Sequence, residues 1–508
     1  MTTRENSRIA RIALRSTVWV TLGNYAYQLI GFVALLYLRR LLDPAIFGLF
    51  DLAMFWVALL SVRNKIGLTY AALRRPQMNG SVLGTVLTLD LLSGLLGMML
   101  ILLAIEPLSR QFGYGNELAL ALGAVAAAEL LTVFGIPASL VLEKEMQISR
   151  NQLVTLVSYA LGYAVAILLA LAGYRLTSLV SVSLVTAALG AALSWFICVR
   201  RLPHLLRERW RFDPTLAREL LRDGLTTGLT LTLLSTIVNQ FDNFLNATFI
   251  SATVQGYYGN AYKIANWPNV LLSMVITRVG YNVMTRVLDD RPRLQHTVRL
   301  SLWLLCALGG PLALAIGLGA ADLIEVLYPG GKWAASAPFL PALTGAGLAS
   351  TFMSVGYWLS VALGRRRVTV AIAVTQAACL LIGGSLLVRL FGVYGTLIAV
   401  ASAGICGFAL SQWFVRTSLG LRLRDIYAAP ILAALAATGA HQAFASIDVT
   451  SALGAAAPLV RLLLGSAIVL GVFWLTMLLL RREETMKNWQ YLINTWRGRR
   501  SADATSTP

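Results

Sequence analysis

Apolar runs of about 20 residues, the length a helix needs to cross about 30 Å of hydrocarbon, recur along almost the whole sequence. "LLSGLLGMMLILLAI" (91–105) and "LLLGSAIVLGVFWLTMLLL" (462–480) are two of them. Their recurrence constrains the fold more than any other feature. Within hydrocarbon the backbone satisfies its polar groups only in helices or a closed barrel. Long uninterrupted runs, without strict alternation, select helices. Composition agrees: the 508 residues are 57% hydrophobic and only 13% charged. A soluble chain of this length would divide into several domains and need far more charge on its surface.

Fourteen apolar segments are expected, at roughly 16–38, 45–62, 81–105, 117–140, 152–172, 177–199, 225–247, 254–277, 298–320, 338–363, 368–388, 393–414, 427–445 and 458–480. The fold class that follows is an all-α polytopic membrane protein with about 14 transmembrane helices. The formal net charge of +19 would point a soluble protein toward nucleic acid, but here Lys and Arg cluster between apolar runs. With the N-terminus placed in the cytoplasm, 34 of the 42 Lys and Arg fall on the inner side and seven on the outer. Lys263 alone sits inside a span. The positive-inside rule then puts both termini in the cytoplasm and favours an even number of spans. Arg39–Arg40 is the outward-facing pair that offends the rule.

Several chemistries are excluded. No GxxxxGK[ST] sequence is present for nucleotide hydrolysis. The acidic pair of "LDDRP" (288–292) resembles that of a glycosyltransferase but sits on a short loop without a nucleotide-binding fold. Cys198, Cys306, Cys379 and Cys406 lie far apart in or beside apolar runs, giving neither a disulfide framework nor a zinc site. No metal, cofactor or cleavable signal peptide is expected. "LRERWRFDPTLARELLRDG", in the longest connection, has the makings of an amphipathic helix on the inner surface.

A weak internal repeat runs through the chain. Aligning Gly48 with Gly256 also brings Leu42 onto Ile250, Phe50 onto Tyr258 and Ala53 onto Ala261. Each half then shows a turn, a glycine and an aromatic at the start of an even-numbered span. Two six-span halves related as parallel repeats place a cavity between them. The expected organisation is a basic N-terminus (1–15), an N-lobe of spans 1–6 (16–210) and a C-lobe of spans 7–12 (211–425). Spans 13 and 14 (426–480) and a basic tail (481–508) complete it.

Span 7 carries unusual polarity. "STIVNQFDNFLNATFI" (235–250) holds Asn239, Gln240, Asp242, Asn243 and Asn246. At 100° per residue, Asn239, Asp242, Asn243 and Asn246 fall within an arc of about 100°, with Gln240 beside it. Lipid cannot satisfy that face, so it must look into protein or water. In span 8, Asn260, Lys263 and Trp267 share a face, and Pro268 perturbs the helix. Two readings stay open. Either these groups line a wet cavity, where amides and an indole suit sugars and Lys263 meets a phosphate or Asp242. Or they are helix–helix hydrogen bonds worth under about 2 kcal/mol each. Arg63 and Lys65, after span 2, either face an inward-open cavity suited to diphosphate or snorkel to the headgroups. Asp90 and Glu129 are isolated intramembrane acids: proton or cation sites, or protonated groups in a packed interface. Asp242 is a third ion-coupling candidate, and Arg278 reads as an inner-surface anchor.

The order of "STVWVTLGNYAYQLIGF" (16–32), "LLYLRRLLDPAIFGLFDLA" (35–53), "TLVSYALGYAVA" (155–166), "FDNFLNATFISATVQGYYGNAYKI" (241–264) and "IEVLYPGGKWAASAPFLPAL" (324–343) resembles the Wzx-type polysaccharide flippases. These belong to the multidrug/oligosaccharidyl-lipid/polysaccharide exporter superfamily. The resemblance covers nearly the whole chain to about residue 480. It implies two six-helix lobes around a cationic cavity, plus two extra helices. It also implies alternating access driven by H+, Na+ or membrane potential, with no cofactor and no enzyme activity. The implied substrate is a polyprenyl-diphosphate-linked oligosaccharide moved to the outer leaflet of the cell membrane. The implied partners are membrane lipids, a polysaccharide polymerase and a chain-length regulator. Arg63, Lys65, Asp242 and Lys263 fit the charged lining of such lobes. The alternatives are a peptidoglycan-precursor flippase, a cation-coupled multidrug exporter and, in a different class, a membrane-embedded glycan polymerase or ligase.

Overall fold

A computed structural model describes residues 3–75, 78–145, 147–201, 210–275, 281–447 and 456–496; Arg278 lies outside them. Among the described residues there are helices, turns and no strand. The chain divides into two compact units. The first holds Met1–Gly259 and Leu380–Thr396, the second Asn260–Cys379 and Leu397–Pro508.

In the first unit the helices are α1 (Thr3–Leu41), α2 (Pro44–Leu60), α3 (Arg63–Ile66), α4 (Leu68–Leu73), α5 (Gly80–Phe112), α6 (Gly115–Lys144), α7 (Ile148–Leu171), α8 (Arg175–Arg201) and α9 (Pro214–Phe249). The helix α10 (Ala252–Ala265) begins in this unit. Local chemistry sets several boundaries. Asn79 caps α5 by accepting from the Val82 N–H at 3.0 Å, and α5 ends at Gly113 with φ +70°. Asp43 precedes Pro44 at the first position of α2, where a missing N–H costs nothing. Asp213 caps α9, again followed by proline. The Thr215 hydroxyl and the Leu216 and Thr215 N–H groups hold the Asp213 carboxyl below its usual range. α6 packs on α5 and α8, α7 on α8 and α1, and α2 on α6 and α9.

The second unit contains α11 (Trp267–Val275), α12 (Tyr281–Arg286), α13 (Arg291–Leu304), α14 (Gly310–Leu318), α15 (Ala320–Leu327), α16 (Leu340–Ala362) and α17 (Arg366–Ala378). After the return of α18 (Ser385–Phe391) to the first unit come α19 (Val393–Leu419), α20 (Leu423–Ala445) and α21 (Ala457–Trp496). Single π-turns at Leu305–Gly309 and Cys379–Gly384 interrupt two of the apolar helices. α20 packs along α21, which also contacts α14 and α15.

Among the described residues, ten helices are long and apolar enough to cross a membrane. They coincide with the third to sixth and ninth to fourteenth expected spans. Side chains such as Leu103, Leu168, Leu390, Leu435 and Leu479 lie uncovered on their outer faces, as suits a lipid solvent. The chain is a multi-pass membrane protein. The first, second, seventh and eighth expected spans are also helical, as α1, α2, α9 and α10–α11. The second is a shorter apolar helix of 17 residues.

Two local expectations meet the structure differently. The helix of span 8 breaks at Asn266, between α10 and α11, with Pro268 in the first turn after the break. The surface helix expected across the long connection is not separate over 214–224. Those residues are the first turns of α9, because Asp213 and Pro214 start a helix that no proline interrupts before Phe249. Residues 202–209 of that stretch lie outside the described residues.

The glycines of the repeat meet across the helix crossing. A Cβ on Gly48 would come 1.8 Å from the Ala252 carbonyl oxygen, and one on Gly256 would come 1.9 Å from that of Pro44. The repeat pairs Pro44 with Ala252 as it pairs Gly48 with Gly256, so each contact is the image of the other. Only glycine lets the two backbones approach this closely.

Candidate functional site

Below that crossing, in the first unit, α2, α9 and α10 enclose a polar seam. Asp242 of α9 is 3% exposed. Its Oδ2 accepts a hydrogen bond from the Tyr258 hydroxyl at 2.7 Å and its Oδ1 from the Asn243 N–H at 2.9 Å. The Asn243 Oδ1 accepts from Gln255 Nε2 at 2.8 Å, and the same amide donates to Asp51 Oδ2 of α2 at 3.4 Å. Two carboxylates, two amides and a phenol are thus joined across three helices. Gln255 and Asn246 are fully buried. Gln255 Oε1 and both amide atoms of Asn246 have no hydrogen-bond partner among the described residues. Orphaned buried groups are costly and mark a place where another ligand or water belongs.

Aromatic rings close one flank. Phe55 stacks on Phe244 with centroids 4.9 Å apart, and Trp56 meets Phe244 edge-on at 5.7 Å. The turn from α9 to α10 is held by Tyr114, whose hydroxyl accepts from the Ala252 N–H at 2.7 Å and donates to the Ala247 carbonyl at 3.3 Å.

The other residues singled out from sequence fall in different places. Asn239 is exposed and donates to Ser235 O of its own helix at 2.7 Å, while Gln240 is half-buried. Arg63 pairs with Glu129 at 2.7 Å, an ion pair between α3 and α6. Asp90 of α5 is 2% exposed, and its Oδ2 has no hydrogen-bond partner among the described residues. The Lys65 ammonium is buried and donates to the Leu59 carbonyl at the end of α2, where a cation complements the helix dipole. Asn260, in the second unit, is fully buried. It donates to Ser336 Oγ at 3.2 Å and accepts from the Tyr328 hydroxyl at 3.1 Å, pinning the connection between α15 and α16. Lys263 and Trp267 are half-buried in the second unit. Past the helix break, Asn266, Asn269 and Thr351 form a hydrogen-bonded row, at 3.4 Å and 2.9 Å.

Asp51 and Gln255 were not singled out from sequence, and Tyr258 entered there only as the repeat partner of Phe50. A signal for Asp51 existed in the repeat itself. The offset that pairs Gly48 with Gly256 pairs Asp51 with Gly259, and a Cβ there would meet Asp51 Oδ2 at 2.6 Å.

Residues 37–338 match the family described as "Polysaccharide biosynthesis protein". A succinoglycan biosynthesis transport protein, ExoT, of Rhizobium meliloti (strain 1021) is 24% identical over 335 residues, covering 66% of this chain and 66% of that protein. A teichuronic acid biosynthesis protein, TuaB, of Bacillus subtilis (strain 168) is 22% identical over 369 residues, covering 70% and 73%. Among solved structures, the lipid II flippase MurJ in an inward closed conformation superposes with TM-score 0.73 at 14% identity. It covers 92% of this chain and 100% of that one. An inward-facing multidrug resistance transporter of the MATE family gives 0.62 at 17% identity, covering 77% and 94%. These likenesses establish the fold.

Proposed function

We propose that this chain, which belongs to the polysaccharide biosynthesis protein family, is a flippase that moves a polyprenyl-diphosphate-linked oligosaccharide from the cytoplasmic to the outer leaflet by alternating access. The observation that carries the reading is the buried seam of Asp51, Asp242, Asn243 and Gln255 in a membrane protein of this family. Packing alone does not require carboxylates and orphaned amides in hydrocarbon. The relatives named for succinoglycan transport and teichuronic acid synthesis support a lipid-linked sugar as cargo. The product serves surface polysaccharide synthesis. A polymerase and a chain-length regulator act on it beside the flippase.

In this reading fourteen spans cross the cytoplasmic membrane with both termini inside, as the distribution of 34 of 42 Lys and Arg supports. Arg63, paired with Glu129, is the base best matched to a diphosphate, whereas Lys65 serves the end of α2. H+, Na+ or the membrane potential drives the cycle, with Asp242 and Asp90 as the groups that respond. The test is complementation of a gene deletion. Asp242→Asn and Lys263→Gln, expressed at wild-type level, should each leave lipid-linked oligosaccharide accumulating in the cell membrane. Full rescue by both variants would refute the reading.

A further inference from the structure

A second space, mostly apolar but set with hydroxyls and two carboxylates, lies within the first unit, away from the seam. α6, α7 and α8 bound a cavity of about 500 Å³, with Tyr27 of α1 and Met54 of α2 on its rim. That volume is in the range that holds a drug-sized ligand. One face of α6 lines it from Val125 to Glu143, about 27 Å along the helix at 1.5 Å per residue. The lining mixes apolar surface with hydroxyls in a regular way. α8 presents Ser183, Thr186 and Ser194 at helical spacing, and α7 presents Ser158 and Tyr159. Ser158 is 1% exposed, and its Oγ has no hydrogen-bond partner among the described residues. Tyr159 stacks on Tyr27 with centroids 3.9 Å apart. Two carboxylates, Glu129 and Glu143, line the cavity about 21 Å apart along α6 at 1.5 Å per residue.

The chemistry narrows the occupant. No Lys, Arg or His lines the cavity among the described residues, and the base at its wall, Arg63, is already matched by Glu129, so a phosphate finds no unmatched charge inside it. Ser139, Thr186 and Ser194 hydrogen-bond within the protein, but an acyl chain would leave the buried Ser158 hydroxyl unpaired and set Glu129 and Glu143 against hydrocarbon, at a cost for each. Glu129 already faces Arg63, which weakens the case for an organic cation. What remains is a ligand rich in hydroxyls with apolar ring faces. We propose that this cavity is a glycan compartment, which takes sugar residues of the transported oligosaccharide through Ser158, Thr186, Ser194 and the carboxylates, with Tyr27 and Tyr159 against a ring face. The proposal rests on the flippase reading. It separates the sugar from the diphosphate: the cavity takes the first, and the second is left to Arg63 behind Glu129 at the cavity wall.

The test uses the full-length protein in lipid nanodiscs. The probe is the oligosaccharide released by mild acid from the lipid-linked pool of cells lacking the gene. Binding is read by saturation-transfer NMR, beside inorganic pyrophosphate as a second probe. Gly190→Leu fills the cavity, since a Cβ at Gly190 has only Ser158 Oγ within 4 Å, at 3.8 Å. It should weaken oligosaccharide binding at least tenfold. The double variant Ser158→Ala/Thr186→Val, which removes both hydroxyls with little change of volume, should weaken it several-fold. Pyrophosphate binding should be unchanged in both, which also reports a folded protein. Wild-type affinity for the oligosaccharide in both variants would overturn the proposal, as would failure of the released oligosaccharide to bind the wild type. Absence of any lipid-linked pool in the deletion strain would instead bring down the flippase reading itself.

Discussion

The reciprocal crossing of α2 and α10 invites a steric experiment. Alanine at Gly48 would place Cβ 1.8 Å from the Ala252 carbonyl oxygen, whereas ordinary van der Waals contact begins at 3.4 Å. The backbones must therefore part by about 1.6 Å, and both atoms belong to helices that cannot swing aside as a side chain does. Gly256→Ala demands nearly the same displacement at the other end of the contact. Overpacking of this kind costs about 1–3 kcal/mol per site. The two costs share one origin, so they should not add: once the first alanine has separated the helices, the second enters space already opened. The double variant should be destabilised by about 1 kcal/mol or more less than the sum of the singles, a coupling typical of residues in contact. Equilibrium unfolding in mixed detergent micelles, followed by tryptophan fluorescence, measures all four corners of the cycle. Strict additivity would refute the shared crossing, and unchanged stability in either single would refute the close approach itself.

Other expectations can be checked alongside. Tyr258→Phe removes the hydroxyl that bonds Asp242 and should cost about 1–3 kcal/mol in the same unfolding assay, because a buried acceptor loses its donor. Asn260→Ala should cost a similar 1–3 kcal/mol yet leave transport per folded molecule unchanged, since its partners Ser336 and Tyr328 belong to a structural clasp. A transport defect at wild-type stability would contradict that. Arg63→Gln and Glu129→Gln should each lower the melting temperature, and the exchanged pair Arg63→Glu/Glu129→Arg should recover part of the loss. No recovery would mean that the pair's orientation matters more than its mutual charge.

Helical periodicity made the spans and the polar face of α9 legible, because both depend only on residues near in sequence. The break at Asn266 was legible through Pro268, whose missing N–H acts locally. What answered that polar face was not. Asp51 lies more than two hundred residues from its partner Gln255, and Asn260 is fixed by Tyr328 and Ser336 far along the chain. Spacing on one helix says which groups share a face, not which helix faces them. Lys65 shows the same limit at short range. Its position allowed a cavity or the headgroups, and the carbonyl of Leu59, six residues back, took the ammonium instead.

The most direct measurement of the central claim is transbilayer movement by the purified protein. Lipid-linked oligosaccharide from the deletion strain would be placed in proteoliposomes. Its exposure on each leaflet would then be followed with an impermeant oxidant of sugar diols. Wild-type protein should bring the inaccessible fraction into reach of the reagent, while Asp242→Asn should leave it protected as in protein-free vesicles. Movement by the Asp242→Asn variant at the wild-type rate, or none by the wild type under any ion gradient or membrane potential, would contradict the account.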